Sequence, residues 1–217
     1  APVVGANSVV QRPTTANIGS ATHWGWIDDI LLKAIGMRGS VGFVFEDDEF
    51  PLLNFNMLGR PPLSLVDQLT PGVPTIAGYI EPVLAATENT TILYGNYAYG
   101  VRRLSMSDGA TLQLRSLINP QDRITYSGRA WTGELVIEVG DISIVGANPF
   151  LGIREGTTRP ALVTQGTIPG NIVECKMDRL QVTGNVTFSE EQGKLMATFP
   201  VTALPIAGND EVIFTTK

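Results

Sequence analysis

At 217 residues the chain has room for one large domain or two small ones, and all-β folds of this length are often single domains. With 43% apolar and 17% charged residues it lies far from disordered compositions, and its 23 glycines and 14 prolines exceed the average share of about 12%, which favours many short elements over long helices. A net charge of −6, from 15 basic and 21 acidic residues, argues against wrapping nucleic acid through its phosphates, while an acidic surface beside DNA serves to repel it.

Residues 1–22 are rich in Pro, Ala, Thr, Gly and Asn without a period, and read as an extended arm or loosely packed leader that orders on a partner. From His23 to Met37 the run HWGWIDDILLKAIGM has apolar residues on both sides of Asp28-Asp29, which predicts two short strands joined by a turn; a helix over 28–35 competes. VGFVFE follows Gly39-Ser40, and the acidic turn EDDEF leads through Pro51. Leu53, Phe55 and Met57 then alternate with Asn54 and Asn56, the period of a half-buried strand. Five of the 14 prolines fall between Gly59 and Glu88, so a long, functional loop is expected at about 59–88.

GVRRLSM, Ser107-Asp108-Gly109 and TLQLRSL predict a β-hairpin. The strands ITYSG and GELVIEV come next, the second setting Glu134, Val136 and Glu138 against Leu135, Ile137 and Val139. One short helix is expected near 148–156, opening on Asn148-Pro149, an N-cap followed by proline at the first helical position, and ending near Gly156. The last quarter returns to strand: NIVECKM, LQVTGNVTF, a turn from Ser189 to Gly193, KLMATFPVT with Leu195, Ala197, Phe199 and Val201 alternating, and EVIFTTK after Gly208-Asn209-Asp210. About ten strands and one short helix predict an all-β, β-dominated fold, an antiparallel β-sandwich or partly closed barrel filling residues 23–217 as one domain.

Catalytic chemistry finds few parts here. The single histidine, His23, stands among Trp24 and Trp26 and reads as a packed residue. The sequence holds no Gly-x-Ser-x-Gly elbow, phosphate-binding glycine loop, His-Glu-x-x-His or Cys-x-x-Cys, so no catalytic residue, cofactor or metal site is expected. Cys175, the one cysteine, excludes an internal disulfide, fits a reducing compartment and reads as a small core residue. Glu46-Asp47-Asp48-Glu49 lacks the spacing and glycine of a calcium loop and reads as a solvated hairpin tip. Glu134 and Glu138, on one strand face, are held about 13 Å apart, beyond the reach of either glycosidase mechanism. Arg102-Arg103 beside Tyr94, Tyr97 and Tyr99 is the nearest approach to a single-strand-binding cluster, but two arginines are too few and hairpin packing is the better reading. No basic stretch followed by an apolar run opens the chain and no window nears eighteen apolar residues, so a soluble chain without a membrane anchor is expected; the sequons at Asn89 and Asn185 carry no weight alone.

The segment GTIPGNIVECKMDRLQVTGNVTFSEEQGKLMATFPVTALP, then AGND at 207–210 and EVIFTTK, resembles the end of the tail tube proteins of long-tailed, non-contractile bacteriophages. In that family a Gly-Thr-x-x-Gly-Asn strand entry, a Ser-Glu-Glu-x-Gly turn and a terminal Gly-Asn-Asp-Glu strand recur. DRITYSGRAWTGELVIEV, the short helix and EGTTRPALV are similar to the family's middle, and IGMRGSVGFVFEDDEFPLLNFNMLG to its earlier paired strands. The resemblance spans 27–217 and rests on the order of five individually weak motifs. The span from Gly59 to Ala98 matches poorly, and residues 1–22 do not match the further β-rich portion that the family carries ahead of the part beginning at Ile27.

The resemblance implies a non-enzymatic virion protein whose subunits close into hexameric rings and stack into a tube, their inner faces joining in a central β-barrel. Phage DNA passes through it during ejection without specific binding. The implied partners are other copies of the chain and tail proteins such as the tape measure and terminator, with no membrane, in a tail assembled in the host cytoplasm. Glu134 and Glu138 become candidates for facing the lumen, the other reading being that their strand lies on the outer surface. The leader 1–22 and the span 59–85 become candidates for contacts between rings. A tail terminator, neck or head decoration protein of similar fold is the nearest alternative. A β-sandwich module binding sugar or protein on Trp24, Trp26 and Trp131 is the rival from another class.

Overall fold

Apolar residues recur at every second position through most of the chain, and the backbone follows them into strands. The computed structural model describes residues 3–5, 7–14, 18–27, 30–61, 83–115, 123–141 and 148–217. Among them are sixteen strands: β1 (Val3–Val4), β2 (Val9–Gln11), β3 (Ala21–Ile27), β4 (Ile30–Glu46), β5 (Leu52–Arg60), β6 (Thr90–Tyr94), β7 (Tyr97–Ala98), β8 (Val101–Ser107), β9 (Thr111–Arg115), β10 (Arg123–Ser127), β11 (Thr132–Glu138), β12 (Thr158–Gln165), β13 (Val173–Val182), β14 (Thr187–Glu191), β15 (Lys194–Ala203) and β16 (Ile213–Thr216). One α-helix, α1, spans Pro149–Glu155.

Every pairing is antiparallel, and fourteen strands form one continuous sheet while β9 and β10 pair separately. Six strands lie side by side in the order β5, β4, β8, β11, β15, β14. β13 carries the sheet into a second layer: its Leu180–Val182 half pairs with β15, its Val173–Lys176 half with β16, and its other edge with β12, beyond which lie β6 and β7. β2 and β1 extend the second layer past β16. The sheet does not close on itself, and β1, β3, β5, β7 and β14 each have a single strand partner among the described residues.

The core fills the space between these layers. Leu104, Leu135, Ile137 and Phe199 of the first meet Val163, Cys175, Met177 and Leu180 of the second in one buried cluster. Phe43 on β4 reaches Phe214 on β16 edge to face, with ring centroids 5.5 Å apart. Each fully buried side chain of this kind contributes about 1.5–3 kcal/mol. Burial drives the Cys175 thiol far above its ordinary range, leaving it inert, as its place in an alternating run implied. β8 and β11 approach so closely at Gly133 that a Cβ there would lie 1.8 Å from the Ser105 carbonyl oxygen, so only glycine fits.

The helix matches its expectation: the Asn148 side chain accepts a hydrogen bond from the Phe150 amide at 2.9 Å, and Gly156 closes the other end in the left-handed region at φ 63°. Strands occupy both sides of Asp28-Asp29, which excludes a helix over the described part of 28–35; those two residues themselves, like 62–82 of the expected long loop, lie outside the described residues. The hairpin expected around Ser107-Asp108-Gly109 does not form. β8 already has β4 and β11 on its two edges, so β9 turns away and pairs with β10. Asp108 is buried at this corner, its carboxylate accepting from the Ala110 amide and the Tyr126 hydroxyl. The turn expected from Ser189 to Gly193 is shorter, since β14 continues through Glu191. Part of the leader is ordered within the chain itself: β2 pairs with β16, because Val9 and Val10 complete an otherwise open sheet edge. His23 is exposed on β3 rather than packed.

Candidate functional site

The first layer has two unlike faces. Its inner face carries Phe43, Phe45, Leu104, Leu135 and Phe199. The outer face is set by the alternate residues, and cross-strand registers bring Leu52, Val44, Ser105, Glu134 and Pro200 into one row and Asn54, Gly42, Ser107, Thr132 and Thr202 into the next. Small hydroxyl and amide side chains thus surround Glu134, which is exposed, in a shallow trough of about 630 Å3 that also takes in Ser40 and Asn56. Alternation alone produces this, since β8 and β11 place Leu104 and Leu135 inward and must turn Ser105 and Glu134 outward.

Charge gathers toward one end of the same face. Arg103 on β8 approaches Glu46 to 3.7 Å, and Arg102 approaches it to 3.8 Å while donating from Nε to Glu191 at 2.9 Å. Arg102 also donates to the Asp47 carbonyl at 2.7 Å, and its bond to Glu191 holds its pKa above the ordinary value. Lys194 donates to Glu138 at 2.8 Å. Three cations are therefore held by carboxylates, and Glu134 adds a further negative charge. Half-exposed pairs of this kind add little to stability, but they occupy the groups that would otherwise grip phosphate. A cavity of about 490 Å3 lies beneath this network, between the β4–β5 turn, β6, the start of β8 and the β14–β15 hairpin.

Glu134 and Glu138 stand where alternation puts them, on one outward face of β11, although Glu138 is paired to Lys194 rather than free. Of the tyrosines beside Arg102 and Arg103, Tyr94 and Tyr99 are in the core, where burial raises the Tyr94 hydroxyl to about 12, Tyr99 lines the same cavity as Arg102, and Tyr97 is 42% exposed. The two described tryptophan side chains share no platform. Trp24 is 45% exposed on β3 with the Lys33 ammonium 4.3 Å from its ring, Trp131 is 2% exposed in the core, and the Trp26 side chain lies outside the described residues. Glu46-Asp47-Asp48-Glu49 forms the turned tip between β4 and β5, and no metal-binding group of acidic, histidine or cysteine side chains occurs among the described residues.

Two features had no signal in the sequence. Arg129 bonds the Thr14 carbonyl at 3.0 Å, Asn209 at 2.9 Å and Glu211 at 2.8 Å, tying the leader and the C-terminal segment to the β10–β11 loop, and Arg38 donates to the Ile18 and Ile124 carbonyls. The apolar row of β5, expected to be half-buried, is open: Phe55 is 64% exposed. Its face was readable from alternation, but the missing cover was not. No protein-family model matches the chain, and no curated protein matches it in sequence.

Proposed function

We propose that this chain is a structural subunit of a phage tail tube, closing into hexameric rings whose stacked channel conducts DNA during ejection. The observation that carries the reading is the outer face of β5, β4, β8, β11 and β15: a polar trough around Glu134 whose neighbouring cations are held by Glu46, Glu138 and Glu191. A wall past which a polyanion slides needs hydration, small side chains and cations held by carboxylates, and the described residues around this trough meet that description. The ordered run of motifs between residues 27 and 217 supports the same reading, as do open sheet edges of the kind ring closure would pair. The proposed partners are further copies of the chain and other tail proteins, in the virion. The binding-module reading is weaker, because Trp24 and Trp131 do not share a surface.

Electron microscopy of the purified chain at high concentration, beside light scattering on dilution, tests the proposal. Long hollow tubes of uniform width are expected. Single rings that never stack would move the protein to a terminator or neck role, and a monomer at every concentration would overturn the ring altogether.

A further inference from the structure

The six-strand layer ends in two apolar margins that remain largely exposed, although the Phe150 ring of α1 stacks on Phe188 with centroids 6.1 Å apart. On β5, Leu53, Phe55 and Met57 are 52%, 64% and 41% exposed, and their pairing to Phe43, Val41 and Gly39 puts them on the core side of the layer. At the opposite end, Phe188 of β14 and Leu195 of β15 are 55% and 50% exposed, and Phe188 pairs with Ala197, again on the core side. An uncovered apolar edge strand is a template for another chain unless something occupies it.

We infer that the chain associates head to tail with a second copy of itself, β5 of one copy pairing with β14 of the next. Six strands alternating in direction leave the two edges running opposite ways, so this junction is antiparallel like every other in the sheet. The two margins lie on one side of the layer, so the junction brings apolar row to apolar row while the polar trough continues unbroken on the other side. Leu52 and the margin residues, six half-exposed side chains at about 100 Å2 each, supply on the order of 600 Å2 of apolar surface before backbone is counted, a large part of the ~1,000 Å2 that a specific interface needs.

The register adds a separate argument. Leu52 shares a row with Val44, Ser105, Glu134 and Pro200, and β5 runs away from that row in one direction. β14 lies on the other side of it, starting with Thr187 beside Thr198. The midpoints Asn56 and Ser189 are displaced by about eight residues over six strands, and with a 3.3 Å rise and a 4.8 Å spacing their pairing tilts the strands by about 43°, within the 35–45° of closed barrels. That tilt is independent of the number of copies. The inference deepens the ring reading above and rests on it, and a heterologous junction of this kind closes a ring when its rotation closes.

The test uses Phe55→Asp and Phe188→Asp, both at exposed positions, with melting temperature as the check on folding and Leu53→Asp with Leu195→Asp as a second pair. Each variant alone should need at least tenfold more protein than the wild type to assemble. An equimolar mixture should give dimers that grow no further, because one intact junction remains and the free ends carry two carboxylates. Dimers from Phe188→Asp alone would overturn the inference in favour of β5 meeting β5, and assembly of either variant at wild-type concentration would overturn it outright. Wild-type rings that need both phenylalanines but never stack would sustain the junction while sinking the tube; wild-type tubes indifferent to both would do the reverse.

Discussion

Replacing Arg129 with Ala should destabilise the subunit more than the loss of any surface ion pair. The Arg129 and Glu211 side chains are only 7% and 12% exposed, and the guanidinium reaches Glu211 at 2.8 Å, Asn209 at 2.9 Å and the Thr14 carbonyl at 3.0 Å. Truncation leaves the Glu211 carboxylate desolvated with its cation gone, a loss of about 3–5 kcal/mol. For a chain of this size that corresponds to a fall in melting temperature of roughly 6–20 °C. Glu211→Gln retains an acceptor for the guanidinium and should cost only about 1–2 kcal/mol. The double replacement Arg129→Met with Glu211→Leu removes both charges together and should recover much of the single-site loss. Urea denaturation of the wild type, Arg129→Met, Glu211→Leu and the double variant measures the cycle, and hydrogen exchange at Val9–Gln11 reports whether the leader loosens with the clamp. A cost below about 1 kcal/mol for Arg129→Ala, or strict additivity in the double variant, would refute the view that this is a buried, coupled pair.

On the proposed tail-tube reading, particles carrying Glu134→Lys with Glu138→Lys should still assemble tubes but release DNA slowly or not at all, and ejection at the normal rate would refute a lumen position for both residues. Gly133→Ala should cost about 3 kcal/mol or abolish folding, since its Cβ would meet the Ser105 carbonyl oxygen at 1.8 Å, whereas Gly19→Ala, with nothing within 4 Å, should be neutral in the same denaturation assay. Burial, then the neighbouring Asp108 carboxylate, raises the Tyr126 hydroxyl from 10.0 to about 12. A raised value favours the protonated folded state, so the contribution of Tyr126 is complete below pH 10 and is lost as pH climbs from there through about 12. Tyr126→Phe should therefore flatten the alkaline loss of stability, and equal slopes for variant and wild type across that window would contradict the assignment.

Elements specified by neighbours in sequence were legible. Asn148, Pro149 and Gly156 state where α1 begins and ends because a cap and a left-handed glycine act within one turn. Alternation in β11 told correctly that Leu135 and Ile137 are buried and Glu134 faces out. Ser107-Asp108-Gly109 misled because a hairpin needs a free strand edge, and the edges of β8 are occupied by β4, about sixty residues before it, and by β11. The same limit hides Arg129, whose partner Glu211 stands 82 positions away. Alternation likewise fixes which way Phe55 points without saying what, if anything, lies above it.

The pairing of β2 with β16 also sets a schedule for synthesis. Gln11 lies opposite Phe214, so two strands separated by about two hundred residues must find each other, at a closure cost on the order of 5 kcal/mol in chain entropy. A nascent chain leaving the ribosome therefore carries β2 paired at most with β1, its other edge open until β16 emerges. The second layer is completed only when β16 arrives, about two hundred residues after the strand it joins.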